Sequence, residues 1–236
     1  MVDLSWETAA LSTLAKRDGI GQEGGHLPLI GGMDEVGRGA LAGPVCVGVT
    51  VIDQLSLENP DFPLGFPAGL NDSKQLTERR RLALQEPIRA WVRDFAIGQA
   101  SNTEIDELGI IPALRLAGWR ALNELDARGH LPQRLGLDGN FDYLAPPSQP
   151  DLFAGAGNLV SSPEVSVETL VKGDGKAALI AGASVLAKVY RDAFMRSLCD
   201  PGYGWAKNVG YGTAAHRAAL AELGASVWHR KTWKLR

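Results

Sequence analysis

The stretch GGMDEVGRGALAGPVCVGVTVI, residues 31–52, decides the fold. In its second half Val45, Val47, Val49 and Val51 alternate with other residues, a period of two that is typical of a β-strand. A short apolar run precedes the adjacent acids of its first half, and glycines and a proline separate the two halves. The stretch therefore predicts a strand, a turn and a second strand.

The segment GRGALAG, residues 37–43 and here called the glycine loop, superficially matches a dinucleotide-binding loop. Such a loop opens a helix and is followed about 20 residues later by an acid at the end of a second strand. Here Pro44 and a β-branched strand follow, so we reject a nucleotide cofactor. The glycines favour a loop with exposed backbone, in which Arg38 can meet phosphate; the alternative is a hairpin turn with one exposed arginine.

Length and composition indicate a globular chain with a substantial core. The 236 residues are 45% hydrophobic and 22% charged, which suits one large domain or one domain with a small appendage. We find no apolar run long enough to span a membrane and no signal peptide. Cys46 and Cys199 form no CxxC motif, so we expect a reduced, cytoplasmic compartment and no zinc site.

Charge is distributed unevenly along the chain. Residues 172–236 contain 11 lysines and arginines against 4 acids, a net charge of +7, whereas the first 171 residues carry −10. A basic C-terminal part joined to an acidic part fits a protein that meets a polyanion and also holds cations. The alternative is chance patterning of solvated faces.

The remaining pattern predicts an α/β fold with a mixed sheet. Further strands are predicted in DFAIGQAS, RLGLDGN and VSVETLVKGD, and a long helix over 176–199. A helix over 74–91 should bury Leu76, Leu82 and Ile88, and Pro87 should bend it or end it early. A capping box at Ser101 opens a two-part helical region over 101–129. The Pro/Ser/Gly-rich residues 146–164 form a predicted loop insertion within 141–165.

Acids follow three predicted strands and stand before or near glycine: Asp34 with Glu35, Asp138, and Asp174. Because ligand sites in open α/β folds form at strand ends, these acids can converge. All-oxygen ligation selects hard ions, hence Mg²⁺ or Mn²⁺. Adjacent strand residues point to opposite faces, so Asp34 and Glu35 share a pocket only if the strand ends or bulges there, or if the Glu35 carbonyl takes part. Taken singly, each acid also fits a solvated turn.

Six motifs in order resemble type 2 ribonuclease H, ribonuclease HII: MDEVGRGALAGPV, GLNDSKQL, LGLDGN, VKGDGKAALIAGASVLAKVYRD, PGYGWAKNVGYGT and HRKTW. The resemblance implies a ribonuclease H-like mixed sheet flanked by helices, with a small C-terminal helical segment. It also implies cleavage of the RNA strand of RNA–DNA hybrids and of single ribonucleotides embedded in duplex DNA. The implied mechanism is two-metal-ion hydrolysis that leaves 5′-phosphate and 3′-hydroxyl ends.

The same resemblance assigns roles to individual residues. Asp34, Glu35, Asp138 and Asp174 would be the catalytic, metal-binding acids. Gly37, Arg38 and Gly39 would recognise the ribonucleotide 2′-hydroxyl, and Tyr211 would stack beside the ribose–deoxyribose junction, with Tyr203 the lesser candidate. Phosphate contacts are expected from Ser73, Lys74, Lys172 and Lys176, although surface solvation is an equal alternative for the last two.

The resemblance also divides the chain. Residues 1–29 match no assigned segment and are expected to be a loosely attached extension, 30–200 the catalytic core, and 201–236 a helical, substrate-contacting segment. We expect a monomer that binds RNA–DNA hybrid and ribonucleotide-containing duplex DNA and no membrane, and we leave a sliding-clamp partner open. Two rival functions are a nucleic-acid-binding protein that has lost cleavage and a metal-dependent hydrolase of small phosphate esters. Four intact acids oppose the first rival, and the basic C-terminal part opposes the second.

Overall fold

A computed structural model of the protein describes residues 2–17, 27–146 and 162–235. Its five strands are β1 (Ile30–Val36), β2 (Val45–Ile52), β3 (Asp94–Ala100), β4 (Arg134–Asp138) and β5 (Ser166–Leu170). Its helices are α1 (Ser5–Arg17), α2 (Gln54–Leu57), α3 (Glu78–Trp91), α4 (Asn102–Leu108), α5 (Ile110–Ala127), α6 (Ala178–Ser197), α7 (Trp205–Asn208) and α8 (Ala214–Leu223). A 3₁₀ turn covers Gly173–Gly175.

The strands form one mixed sheet in the order β3-β2-β1-β4-β5. Strand β1 pairs antiparallel with β2 in an unbroken register from Ile30↔Ile52 to Val36↔Cys46. On its other side β1 runs parallel to β4, and β4 runs parallel to β5. The predicted strand–turn–strand and the mixed sheet are confirmed, and the carboxyl ends of β1, β4 and β5 meet at one edge.

Strand β2 is buried on both faces, which explains its composition. Its alternating valines pack into the core that α5 covers. On the other face Gly48 lies against α6, where an added Cβ would stand 2.6 Å from the Ala183 carbonyl oxygen. The strand therefore combines large β-branched residues on one face with a close helix approach on the other.

The predicted two-part helical region is confirmed in detail. Ser101 accepts from the Glu104 amide, and the Glu104 carboxylate accepts from the Ser101 amide, which completes the capping box. Gly109, at φ +84°, ends α4 and separates it from α5. A residue with a side chain is strained at that φ, so glycine is the natural divider.

The prediction for residues 74–91 is wrong in two respects. The helix begins at Glu78, because Thr77 caps it. Leu82 is 48% exposed, whereas Leu84 and Ile88 are buried. Pro87 does not end the helix, which continues to Trp91, a fully buried side chain that holds the last turn in the core.

The prediction of a loosely attached N-terminus is wrong for residues 2–17. Helix α1 buries Ala10, Leu11 and Leu14 in a core cluster that also includes residues of α3 and α6. Spacing of three to four residues places these side chains on one face, so a weak sequence pattern still provides a packing surface. The glycine-rich part of the predicted extension, residues 18–26, and most of the predicted loop insertion lie outside the described residues.

The small C-terminal helical segment is present as α7 and α8. It has its own apolar cluster, in which Trp205 and Leu220 pack with Leu41 and Ala42 of the glycine loop and with Met195 of α6. The segment thus covers the glycine loop. In the described parts of the chain, no helix has the length and apolar character needed to cross a membrane.

Candidate active site

The predicted acids gather at the shared carboxyl edge of the parallel strands. Asp34 lies near the end of β1, Asp138 ends β4, and Asp174 lies in the 3₁₀ turn that follows β5. The Gly173 and Asp174 amides donate to Asp138 Oδ1 at 2.7 and 3.4 Å. These bonds tie the turn that carries Asp174 to the end of β4. Asp34, Glu35, Asp138 and Asp174 are called the carboxylate cluster below.

Asp34 and Glu35 leave β1 in different directions. The pairing of β1 with β2 continues through both residues without a bulge, so neither of the expected distortions is present. Asp34 is buried and hydrogen-bonds with Ser184 of α6, whereas Glu35 forms an ion pair with Arg38 at 3.4 Å. The two carboxylates therefore flank the strand, close enough that the Glu35 charge adds to the raised pKa of Asp34.

Burial and like charge make the cluster hard to ionise. Burial raises the pKa of Asp34 to about 8, against a hydrogen bond from Ser184, and the charges of Glu35 and Asp138 add to the shift. Burial also raises the pKa of Glu35 and of Asp174, and the Asp138 charge reinforces both shifts. Clustered carboxylates behave in this way where a positive charge is missing.

Two side-chain cations offset part of this charge. Lys74 Nζ lies 3.3 Å from Asp174 Oδ2, and Arg38 pairs with Glu35. Burial opposes the Lys74 charge, but Asp34, Asp174 and Asp72 outweigh it and raise the pKa of the ammonium. Four acids face two cations here, so the described side chains leave the cluster negative.

The cluster has the type of donor atom that a hard divalent cation requires, but its side chains do not form a complete coordination shell. Its donors are all oxygens, and the buried Tyr143 hydroxyl beside it has no hydrogen-bond partner in the described residues. Across residues 2–17, 27–146 and 162–235, no three His, Cys, Asp or Glu side chains converge tightly enough to hold an ion as they stand. Lys74 donates to an Asp174 oxygen, and two backbone amides donate to Asp138 Oδ1. Oxygens that a cation would use are therefore already occupied, which accounts for the incomplete coordination shell.

Ser184, which hydrogen-bonds with Asp34, is itself linked to a second serine, Ser73. Ser184, interpreted from sequence as a small core residue of little functional weight, lies in α6 with its hydroxyl 2.8 Å from that of Ser73. Ser73 is buried, and its carbonyl accepts from Arg81 at 2.8 Å. The hydroxyl of Ser73 is thus turned inward, away from the surface where a phosphate contact was predicted.

The glycine loop has two glycines with different constraints. Gly37 adopts φ +84°, and an added Cβ would collide with the Arg191 side chain. Gly39 has open space where a Cβ would lie, with no heavy atom within 4 Å. Gly37 is therefore required by the fold itself, whereas Gly39 is free of that requirement and faces outward.

Two buried arginines hold this loop by its carbonyl oxygens. Arg230, from the C-terminal segment, donates to Gly37 O at 2.7 Å, to Arg38 O at 2.9 Å and to Gly43 O at 3.1 Å. Arg191, from α6, donates to Pro44 O at 2.8 Å and to Ala42 O at 3.0 Å. Neither role was predicted, although HRKTW and VYRD contain these residues, because their partners lie about 150–190 residues away in sequence.

Tyr211 lies at the same loop, as its predicted role requires. Its hydroxyl accepts from the Gly37 amide at 3.2 Å, and the Arg191 guanidinium lies 5.4 Å from its ring. Tyr203, the lesser candidate, is buried and donates to Gly224 O at 2.8 Å, so it is a packing residue. His216 and His229 are buried, and their Nε2 atoms lie 3.0 Å apart, so both histidines belong to the core of the C-terminal segment.

The predicted phosphate-contacting lysines lie around the cluster. Lys74, Lys172 and Lys176 are exposed, and Lys172 adopts a left-handed φ of 58°, which is uncommon for a residue other than glycine. Lys188 forms an ion pair with Asp192 at 2.8 Å, one turn further along α6. Trp205 is fully buried and serves as a packing residue.

Comparisons with known proteins agree with this geometry. The family model for Ribonuclease HII matches residues 31–236. Ribonuclease HII of Streptomyces avermitilis is 43% identical over 207 residues, which cover 87% of this chain and 76% of the relative. The residues matched by the family model include the carboxylate cluster, the glycine loop and the C-terminal segment.

Two solved structures share the fold. Ribonuclease H2 from Pyrococcus horikoshii is 26% identical, with a TM-score of 0.57 over 88% of this chain and 94% of that one. Bst-RNase HIII in complex with Mn²⁺ is 19% identical, with a TM-score of 0.63 over 88% of this chain and 68% of that one, a likeness of fold alone. The fold is thus a ribonuclease H fold, and the chain belongs to the ribonuclease HII family of nucleases, which act on RNA–DNA hybrids.

Proposed function

We propose that this chain cleaves the RNA strand of hybrids, and single ribonucleotides embedded in duplex DNA, by two-metal-ion hydrolysis. Asp34, Glu35, Asp138 and Asp174 are the proposed metal-binding catalytic acids, and the products carry 5′-phosphate and 3′-hydroxyl ends. The observation that carries the proposal is the under-neutralised carboxylate cluster directly beside a backbone loop held open by buried arginines.

The acids would hold the metal ions by exchange of cations. Lys74 and Arg38 now offset part of the charge on Asp174 and Glu35. Mg²⁺ or Mn²⁺ would replace them, since oxygen ligands suit hard ions and a dication offsets both the burial and the repulsion that raise the pKa values of Asp34, Glu35 and Asp174. When bound, such ions make water a stronger nucleophile and stabilise a leaving oxyanion. Bst-RNase HIII, which was solved with Mn²⁺, supports a divalent cofactor.

The glycine loop would recognise the sugar. The Gly37 amide donates to the Tyr211 hydroxyl, and the Gly37 and Arg38 carbonyls accept from Arg230. In the described residues the amides of Arg38 and Gly39 have no acceptor, so two donors stand ready in a rigid loop. Only the 2′-hydroxyl distinguishes RNA from DNA at one sugar, and these amides can meet it. Tyr211 would lie beside the ribose–deoxyribose junction.

Phosphate contacts would come from exposed cations near the cluster. Lys74, Lys172 and Lys176 are placed to hold the backbone without sequence preference. Ser73 would act differently from the sequence-based expectation, by holding Ser184 against Asp34. A monomeric state stays a prediction, and a sliding-clamp partner stays open.

One experiment tests the function. A duplex with a single embedded ribonucleotide, an RNA–DNA hybrid and an all-DNA duplex are each incubated with the protein in Mg²⁺, in Mn²⁺ and in EDTA. We expect cleavage of the first two substrates with either metal, on the 5′ side of a phosphate that stays on the downstream product. Extension of the upstream product by a polymerase checks its 3′-hydroxyl.

The controls separate the alternatives. Cleavage of the hybrid without any cut at the single ribonucleotide would refute the embedded-ribonucleotide part. Tight binding without cleavage in both metals would favour a non-catalytic binder, and equal cleavage of the all-DNA duplex would refute 2′-hydroxyl recognition.

A further inference from the structure

The N-terminal segment reaches the loop that carries Asp174, although it precedes the part of the chain that the family model matches. The Asp174 loop is defined here as residues 172–177, which lead directly into α6. The Asp3 amide donates to Lys176 O at 2.8 Å, and the Ala178 amide donates to Asp3 O at 3.2 Å. Residue 3 therefore pairs with the last residues of this loop as a short parallel bridge.

Glu7 of α1 completes the contact at the first turn of α6. Its side chain is fully buried, and Oε1 accepts from the Leu179 amide at 2.8 Å. The residue that precedes α6, Ala177, provides no side-chain cap. The first amides of a helix have no partner within it, so Glu7 supplies from a distant segment the acceptor that the local sequence lacks.

Leu179 is fixed on its other side as well. The Thr50 hydroxyl of β2 donates to Leu179 O at 2.8 Å. An added Cβ at Gly32 would lie 2.5 Å from both the Leu179 carbonyl carbon and the Ile180 nitrogen, so α6 begins directly against β1. Gly32 precedes Asp34 by two residues on the same face of that strand, so the start of α6 lies against the part of β1 that leads to Asp34.

Bonds within the loop and two neighbouring side chains also hold it. The Gly175 amide donates to Lys172 O at 3.2 Å, and the Lys176 and Ala177 amides donate to Gly173 O at 2.9 and 2.8 Å. Asp138 holds its first amides, and Lys74 reaches the Asp174 carboxylate from an exposed position. Lys172 adopts a left-handed conformation that persists only when surrounding structure determines it. The far end of the loop, Lys176 and Ala177, is held by Asp3 and by its continuation into the Glu7-capped helix.

We propose that Glu7 is a positioning residue for the metal site: by accepting the Leu179 amide it fixes the start of α6 and hence the Asp174 loop. The N-terminal segment is then a working part of the nuclease. This inference rests on the proposed role of Asp174 in metal binding. No contact between Glu7 and substrate or metal is required.

The test uses the full chain and three substitutions. Glu7→Leu keeps the buried volume but removes the acceptor, and Glu7→Gln keeps Oε1. Leu125→Ala, in α5 on the opposite face of the sheet, serves as a control for general loss of stability. Three quantities are measured: Mn²⁺ affinity by calorimetry without nucleic acid, kcat at saturating metal, and Kd for an uncleaved all-DNA duplex.

We expect Glu7→Leu to weaken Mn²⁺ binding and lower kcat by roughly three- to tenfold, with the duplex Kd unchanged. Glu7→Gln should stay within about twofold of wild type, and Leu125→Ala should lower the melting temperature without altering Mn²⁺ affinity. If Glu7→Leu does not fold, Glu7→Ala replaces it. A fall in melting temperature with unchanged Mn²⁺ affinity and kcat, or equal losses in the Leu and Gln variants, would overturn the inference.

Asp174→Asn separates this failure from a failure of the proposed function. If Asp174→Asn abolishes Mn²⁺ binding while the Glu7 variants bind normally, only the inference fails. If Asp174→Asn itself binds Mn²⁺ and cleaves as wild type does, the proposed metal site fails and takes the inference with it.

Discussion

The carboxylate cluster and the glycine loop share one edge of the sheet, but their charges are balanced in opposite ways. The cluster has four acids, two ion-paired cations and raised carboxyl pKa values. The glycine loop is held by two buried arginines from other segments, Arg191 and Arg230, whose side chains donate to carbonyl oxygens. The carboxylate cluster has too few cations for its acids, whereas the glycine loop is held in place by buried positive charge.

This difference suggests that the carboxylate cluster and the glycine loop have different functional roles. A cluster with unrelieved repulsion gains stability from a cation, so its state should respond to metal. A loop whose carbonyls are already satisfied by rigid guanidinium groups is organised before substrate arrives, and its state should be indifferent to metal. Substitutions in the two regions should therefore fail in different ways.

The largest expected effect is loss of cleavage in Asp34→Asn. Asparagine keeps the shape but removes a charged ligand, so we expect at least about a thousandfold lower kcat, equivalent to about 4 kcal/mol of transition-state stabilisation. Binding to the uncleaved hybrid, measured in EDTA, should be unchanged or tighter, because one negative charge near the phosphates is gone. Near-normal turnover would remove Asp34 from the metal site.

A pair of glycine variants probes the loop. Gly37→Ala forces a side chain into a positive φ and against Arg191, so we expect about 1–3 kcal/mol lower unfolding free energy and a tenfold or greater loss of activity. Gly39→Ala meets no atom within 4 Å and should fold with wild-type stability. We expect Gly39→Ala to lose cleavage at ribonucleotides selectively, which kinetic assays measure. Wild-type kinetics in this variant would mean that the substrate does not lie against Gly39.

Arg230→Lys should produce an intermediate effect. A lysine cannot reproduce the fork that reaches three carbonyls, so buried acceptors at Gly37, Arg38 and Gly43 lose their partner. We expect about 2 kcal/mol lower unfolding free energy in denaturant titrations and a several-fold loss of ribonucleotide cleavage. Lys231→Ala, at an exposed neighbouring residue, provides the comparison, and equal behaviour of the two variants would contradict the role of Arg230 in holding the glycine loop.

The smallest effect on activity is expected from Glu7→Gln, which should instead change the pH dependence of stability. Burial raises the pKa of Glu7 from 4.5 to about 7, with a smaller contribution from Asp3. The folded state thus holds the proton more tightly, and Glu7 lowers the unfolding free energy as pH rises from about 4.5 to about 7. The variant should gain about 1–3 kcal/mol over wild type across that window and no more above it.

Denaturant titrations at several pH values measure this difference. The surface substitution Glu86→Gln, at a side chain that is 82% exposed, should show no such window. A difference between Glu7→Gln and wild type that stays constant from pH 4.5 to 7.5 would mean that the Glu7 carboxyl is not desolvated.

Much of the site was predictable because its signals are local. The alternating valines predicted β2, and the position of Asp34, Asp138 and Asp174 at the ends of apolar runs marked them as candidate site residues. Parallel pairing of β1, β4 and β5 then brings these ends together without further information. The glycines of the loop were equally visible, since the need for a positive φ at Gly37 is expressed in one residue.

What sequence could not predict depends on contacts between distant segments. Arg230 lies 187 to 193 residues from the carbonyls that it holds, and Glu7 lies 172 residues from the amide that it caps. The misassigned Leu82 has a related cause, because the buried face of α3 is chosen by packing against α6. The net charge of +7 near the C-terminus likewise concealed that Arg191 and Arg230 are buried and unavailable to phosphate.

The most direct test of the central claim is the effect of Mn²⁺ on melting temperature. Wild type and Asp34→Asn are melted at pH 8 in EDTA and in saturating Mn²⁺, without nucleic acid. In EDTA we predict that Asp34→Asn melts at a higher temperature than wild type, since it lacks one buried, repelled carboxylate. Mn²⁺ should raise the melting temperature of wild type by several degrees and leave the variant nearly unchanged. Equal Mn²⁺ shifts in the two proteins would contradict a metal site built on the carboxylate cluster.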